Sequence, residues 1–118
     1  MRTNKIKIAV IGLLCCMAIG MSVMAFDKSY PYAIGPDETK TIASFVPGAS
    51  TIYINTRPTA GGDVTIILSG AVTGSSSFPY YTSRGDWKVT DVNASSTLTI
   101  KGKAGSKGSS GSLHVWSK

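Results

Sequence analysis

The chain is poor in cysteine, in acid and in histidine, and each shortage removes a class of function. Only two cysteines occur in 118 residues, side by side at Cys15 and Cys16. Everything after them lacks a thiol, which excludes a disulfide framework, a thiolate metal site and a cysteine nucleophile there. Six acids stand against twelve Lys and Arg, Glu38 is the one glutamate, and His114 is the one histidine. General acid–base chemistry needs a group that titrates near neutrality, or two carboxylates in different environments. The acids here fall mostly at turns or strand ends, and no serine sits in a G-x-S-x-G elbow. A non-catalytic protein without cofactor is the expectation. No metal is expected either: Asp37-Glu38 begins a turn but no loop alternates oxygen ligands as calcium requires, and a lone His114 is no transition-metal site.

Helical periodicity is missing as well from everything after Ala25. Met1 to Lys7 carries Arg2, Lys5 and Lys7 with no acid, and eighteen uncharged residues follow from Ile8 to Ala25. A basic end, an apolar run and the small-residue close Val23-Met24-Ala25 make a secretory signal peptide, with cleavage expected after Ala25. An uncleaved anchor is the competing reading, weakened by Gly12, Gly20 and Ser22 in a run at the lower limit of spanning length. A lipoprotein reading lacks the small residue before Cys16. Removal of residues 1–25 takes away both cysteines and all four methionines, and lowers the formal charge from +6 to +3. A secreted, cysteine-free domain at residues 26–118 fits a bacterial envelope or medium better than an oxidising eukaryotic route.

What remains is short strands. Ser, Thr, Gly, Val, Ile and aromatics dominate, and period two recurs. In TIYINTR, Ile52 and Ile54 share a face opposite Tyr53, Asn55 and Arg57. In DVTIILS, Val64, Ile66 and Leu68 align, and in STLTIK Leu98 and Ile100 alternate with threonines. WKVTDV, SLHVWSK and TKTIASFV read as further strands, with SYPYAI and FPYYTS weaker. Turn formers separate them at Gly35-Pro36-Asp37, Pro47-Gly48, Pro58 to Gly62, Gly70 to Ser76, Arg84-Gly85-Asp86 and Asn93 to Ser96. Seven or eight strands at this spacing predict an all-β protein, a small antiparallel β-sandwich of jelly-roll or Ig-like type, in a single domain. The expected core is Ile52, Ile54, Val64, Ile66, Leu68, Val89, Leu98, Ile100, Leu113 and Val115.

The aromatics are the strongest binding signal. All ten lie after residue 25. Trp116 and His114 fall on the face opposite Leu113 and Val115, so Trp116 is expected outward. Together with Tyr80, Tyr81 and Trp87 they form the expected ligand-binding set, because aromatic rings give large contact area at low entropic cost. Consecutive strand residues face opposite ways, so at most one of Tyr80 and Tyr81 faces the core.

GKAGSKGSSG, Gly102 to Gly111, reads as a flexible ten-residue connection whose Lys103 and Lys107, close after Lys101, make a basic loop. Either it touches an anionic polymer or it is a solvated hairpin loop, and the second reading is preferred. Without interleaved aromatics, nucleic acid is not expected. Arg84-Gly85-Asp86 has the integrin-binding order, but Gly-Asp is ordinary turn chemistry and the turn reading comes first.

The leading expectation is a small secreted module that binds a cell-surface glycan, an envelope polymer or a protein. One alternative is an antimicrobial or toxin-like protein acting at a target membrane, against which the low charge and the lack of an amphipathic helix both count. The other is an assembly subunit of an extracellular matrix or surface layer, pairing through an exposed edge such as SLHVWSK. The sequence does not specify an oligomeric state.

Overall fold

The computed structural model describes residues 25–118. The expected signal peptide, apart from Ala25, and both cysteines lie outside the described residues.

No helix occurs among the described residues. Nine strands do: β1 (Asp27–Ile34), β2 (Thr39–Phe45), β3 (Ile52–Thr56), β4 (Ala60–Gly61), β5 (Val64–Gly70), β6 (Gly74–Phe78), β7 (Trp87–Val89), β8 (Leu98–Ala104) and β9 (Ser109–Trp116). They form two antiparallel sheets. One has four strands in the order β2-β8-β5-β6. The other has the order β1-β9-β3-β7, with β4 also on β9. Only β5 and β6 are both neighbours in sequence and partners in a sheet; the other partnerships join distant parts of the chain.

Alternation decides which side chains face inward. In β3 the burial runs buried, partial, buried, partial, buried, and β5 begins the same way. All ten residues expected in the core are buried, and they join one cluster drawn from both sheets. Each such side chain stabilises by about 1.5–3 kcal/mol. Phe78, at 0% exposure, is the largest of the fully buried side chains in that cluster.

Three expectations are corrected. FPYYTS is not a strand: the strand is GSSSF, which starts inside the Gly70–Ser76 stretch expected to turn and ends at Phe78. Pro79 has no amide hydrogen to continue a ladder, and Tyr81 sits at φ 54°, outside strand conformation. Both tyrosines are therefore exposed, at 45% and 61%, and stacked on one another.

The glycine-rich connection is also shorter than ten residues. Lys101 and Lys103 lie within β8, which runs to Ala104, and β9 starts at Ser109. The four residues between are held by backbone bonds from Asp37 N to Gly105 O (2.8 Å), Gly108 N to Gly105 O (3.0 Å) and Gly62 N to Gly108 O (2.9 Å). It is a tied crossover from one sheet to the other, and Lys107 alone belongs to the turn.

SLHVWSK, finally, is no edge. β9 runs through the middle of its sheet, with β1 on one side and β3 and β4 on the other. The edges of that sheet are β1, which carries Pro31, and the three-residue β7. Proline and shortness are the usual means of blunting an edge.

Candidate functional site

The outward face of the β1-β9-β3-β7 sheet gathers the aromatic and polar side chains that the core does not use. His114 and Trp116 stand two residues apart on β9, so they share this face, and their rings stack at 4.3 Å with 26° between planes. The strand register sets Trp116 opposite Tyr53 of β3, and those rings stack at 5.7 Å and 18°. Lys118 Nζ lies 4.6 Å from the Tyr53 ring centroid. Trp116 is thus outward and half-buried, covered by side chains of its own face.

On the β1 side, His114 Nε2 donates to Asp27 Oδ1 at 2.6 Å, an exposed pair at 43% and 73%. On the β3 side the register sets His114 opposite Asn55. Asn55 Nδ2 donates to Asp86 Oδ1 at 3.1 Å. Its other end, Oδ1, is buried and has no hydrogen-bond partner among the described residues. Buried acceptors are nearly always satisfied, so an orphan of this kind calls for a cause.

Beside it lies a pocket of about 250 Å³ lined by Asn55, Thr56, Arg57, Ser83, Ser112 and His114. That is smaller than a site for a drug-sized ligand, which spans about 300–1,000 Å³. Its walls carry an amide, a guanidinium, an imidazole and the hydroxyls of Ser83 and Ser112. The Arg57 guanidinium also sits 5.2 Å over the Tyr81 ring, which links the pocket to the exposed Tyr80–Tyr81 pair. The tyrosine turn is held from below by Tyr81 N to Pro58 O (2.8 Å) and by Tyr80 N to Asp63 Oδ1 (2.7 Å).

The residues expected to act together are thus divided. His114 and Trp116 share the outer face, and Tyr80 and Tyr81 reach it through Arg57. Trp87 does not belong to it. It pairs with Ile54 in the ladder and so faces inward, half-buried against the core with Phe78 at 6.5 Å. Tyr53, Asn55, Arg57, Ser83 and Lys118 were not foreseen. Parity placed Tyr53, Asn55 and Arg57 on one outward face, but nothing local says that β3 lies beside β9.

The Arg84-Gly85-Asp86 turn is occupied by the fold. The Arg84 guanidinium stands 4.6 Å over the Phe78 ring and bonds Ser76 Oγ and, at 3.4 Å, Ser77 O of β6. Asp86 meanwhile receives Asn55 of β3. The two ends of the tripeptide therefore tie different sheets together. Asp37-Glu38 is likewise a turn, its Glu38 Oε1 accepting the Gly35 amide at 2.8 Å.

No protein-family model, curated protein or solved structure matches this chain.

Proposed function

We propose that the protein is a β-sandwich module that binds a glycan on the outward face of its β1-β9-β3-β7 sheet, without chemistry of its own. The observation that carries this reading is the stacked row Tyr53–Trp116–His114 ending at the pocket of Asn55, Arg57, Ser83 and Ser112. A sugar presents apolar C–H groups and a ring of hydroxyls. Aromatic surface suits the first, and closely set donors and acceptors suit the second. The pocket has room for a single sugar residue, with neighbouring units lying along the aromatic row. Export and cleavage after Ala25 would bring this face to a cell surface or its surroundings.

The test is tryptophan fluorescence of the purified protein against soluble oligosaccharides of bacterial cell wall, with Trp116→Phe separating Trp116 from Trp87. A ligand-dependent change in emission and acrylamide quenching, absent in Trp116→Phe, supports the reading. Arg57→Ala is expected to weaken binding about tenfold, the loss of one hydrogen bond to a charged group. Oligosaccharide binding indifferent to both substitutions, or none across the set, would overturn it.

A further inference from the structure

The opposite sheet carries a second, chemically different surface. Its outward face has lysines and hydroxyls in register: Lys103 is opposite Thr65, and Thr65 opposite Ser77. In the next outward row Lys101 is opposite Ile67, and Ile67 opposite Ser75. Over this face, bounded by the Gly105–Gly108 turn with its Lys107, runs an open groove of about 790 Å³. We propose that this groove binds a linear polyol-phosphate polymer, with Lys103 and Lys107 meeting its phosphates and Ser75, Ser77 and Thr65 its hydroxyls.

Charge is the first argument. Lys101, Lys103 and Lys107 are exposed, and no carboxylate pairs with them among the described residues. One acid borders the groove, Asp63, and its Oδ1 is already taken by the Tyr80 amide. Three unpaired cations on one side of the protein attract an anion and repel each other without one.

The donor type is the second argument. The planar fork of arginine matches carboxylate and phosphate alike through paired bonds, whereas lysine acts as a point charge and is a common partner of phosphate. The groove lining contains lysine and no arginine. Lys101 and Lys103, two residues apart on one strand, sit about 7 Å from one another along it, so a charge recurring along a chain meets more than one of them. The hydroxyls complete the fit. Thr65 Oγ1 and Ser77 Oγ share one bond at 3.1 Å, which leaves one of their two hydrogens free to donate. This proposal rests on different residues from the aromatic face and does not depend on it.

The test is calorimetric titration of the purified protein with lipid-free poly(glycerol phosphate), with dextran, alginate and single-stranded DNA for comparison. Binding of the phosphate polymer that weakens with salt is expected, with none of dextran. Each of Lys103→Gln and Lys107→Gln should weaken it about threefold, and the double variant about tenfold. Asp63→Asn keeps an acceptor for Tyr80 and should tighten binding about twofold. Lys28→Gln makes the same charge change away from the groove and should cost less than either groove variant. Equal weakening by Lys28→Gln, equal affinity for alginate or DNA, or no binding of the phosphate polymer would each overturn the proposal.

Discussion

Tyr32 Oη lies 2.8 Å from Thr56 Oγ1, and Thr56 Oγ1 in turn donates to Ser112 O at 2.8 Å. Because the threonine spends its one hydrogen on Ser112, the tyrosine must be the donor. The chain of bonds runs from β1 to β3 and back to the β9 between them, in buried surroundings. Tyr32→Phe should therefore lower stability by about 1 kcal/mol, the usual net value of one such bond, measured by urea denaturation near pH 7.

The same tyrosine makes stability sensitive to alkali. Burial pushes the Tyr32 hydroxyl above its ordinary value of 10.0, while the Thr56 and Ser109 hydroxyls offset part of that rise. A raised value in the folded state means the neutral form is favoured there. The contribution is complete below the unfolded value near 10 and disappears as pH climbs through the folded one. The urea midpoint should fall between pH 9 and pH 11, and fall less in Tyr32→Phe. An equal fall in both would exclude Tyr32 as the cause.

Gly70 and Gly85 separate backbone strain from crowding. Both have positive φ, 86° and 90°. A Cβ on Gly70 would stand 2.2 Å from Thr97 O, whereas one on Gly85 would meet nothing within 4 Å. Gly85→Ala should therefore cost about 1–2 kcal/mol for left-handed backbone alone. Gly70→Ala should cost more by a further 1–3 kcal/mol, since overpacking adds to the same strain. Thermal melts of the two variants give the comparison directly.

Arg84 and Asp86 are held on different sheets, which predicts that the tripeptide does not act as an adhesive motif. Integrin-bearing cells should not attach to the immobilised protein in a way that a soluble Arg-Gly-Asp peptide blocks. Arg84→Ala should instead act on stability. It removes a cation over the Phe78 ring, worth about 0.5–1 kcal/mol at an exposed site.

Alternation made the inward faces legible, down to each of the ten core side chains, because one residue of slip would have moved every one of them to solvent. β6 was hidden because Gly74 to Ser77 carry no apolar side chain. It is a strand through its register with β5, from Leu68 opposite Gly74 to Val64 opposite Phe78. The central place of β9 and the stacking of Tyr53 on Trp116 were hidden for another reason. Each depends on pairing between segments some sixty residues apart, for which neither segment holds a local signal. Outward parity was correct for Trp116, yet its cover comes from Tyr53 and His114, one of them on another strand.

The two ends of the described chain are bonded to each other. Phe26 N donates to Ser117 Oγ at 3.1 Å, Ser117 N donates to Phe26 O at 2.9 Å, and the Phe26 ring meets Phe45 edge-on at 5.6 Å. Cleavage between Ala25 and Phe26 would turn that Phe26 amide into an ammonium, which has more hydrogens to give Ser117 and not fewer. The clasp is therefore compatible with cleavage at that bond, and if the chain is exported as proposed, the released protein should have Phe26 at its start by intact mass. Removal of Ser117 and Lys118 should by contrast release Phe26 and lower stability by about 1–2 kcal/mol, two hydrogen bonds at their usual net value. Unchanged stability on that truncation would show the Phe26–Ser117 clasp to be dispensable, and the anchoring of β1 would then rest on its ladder with β9 alone.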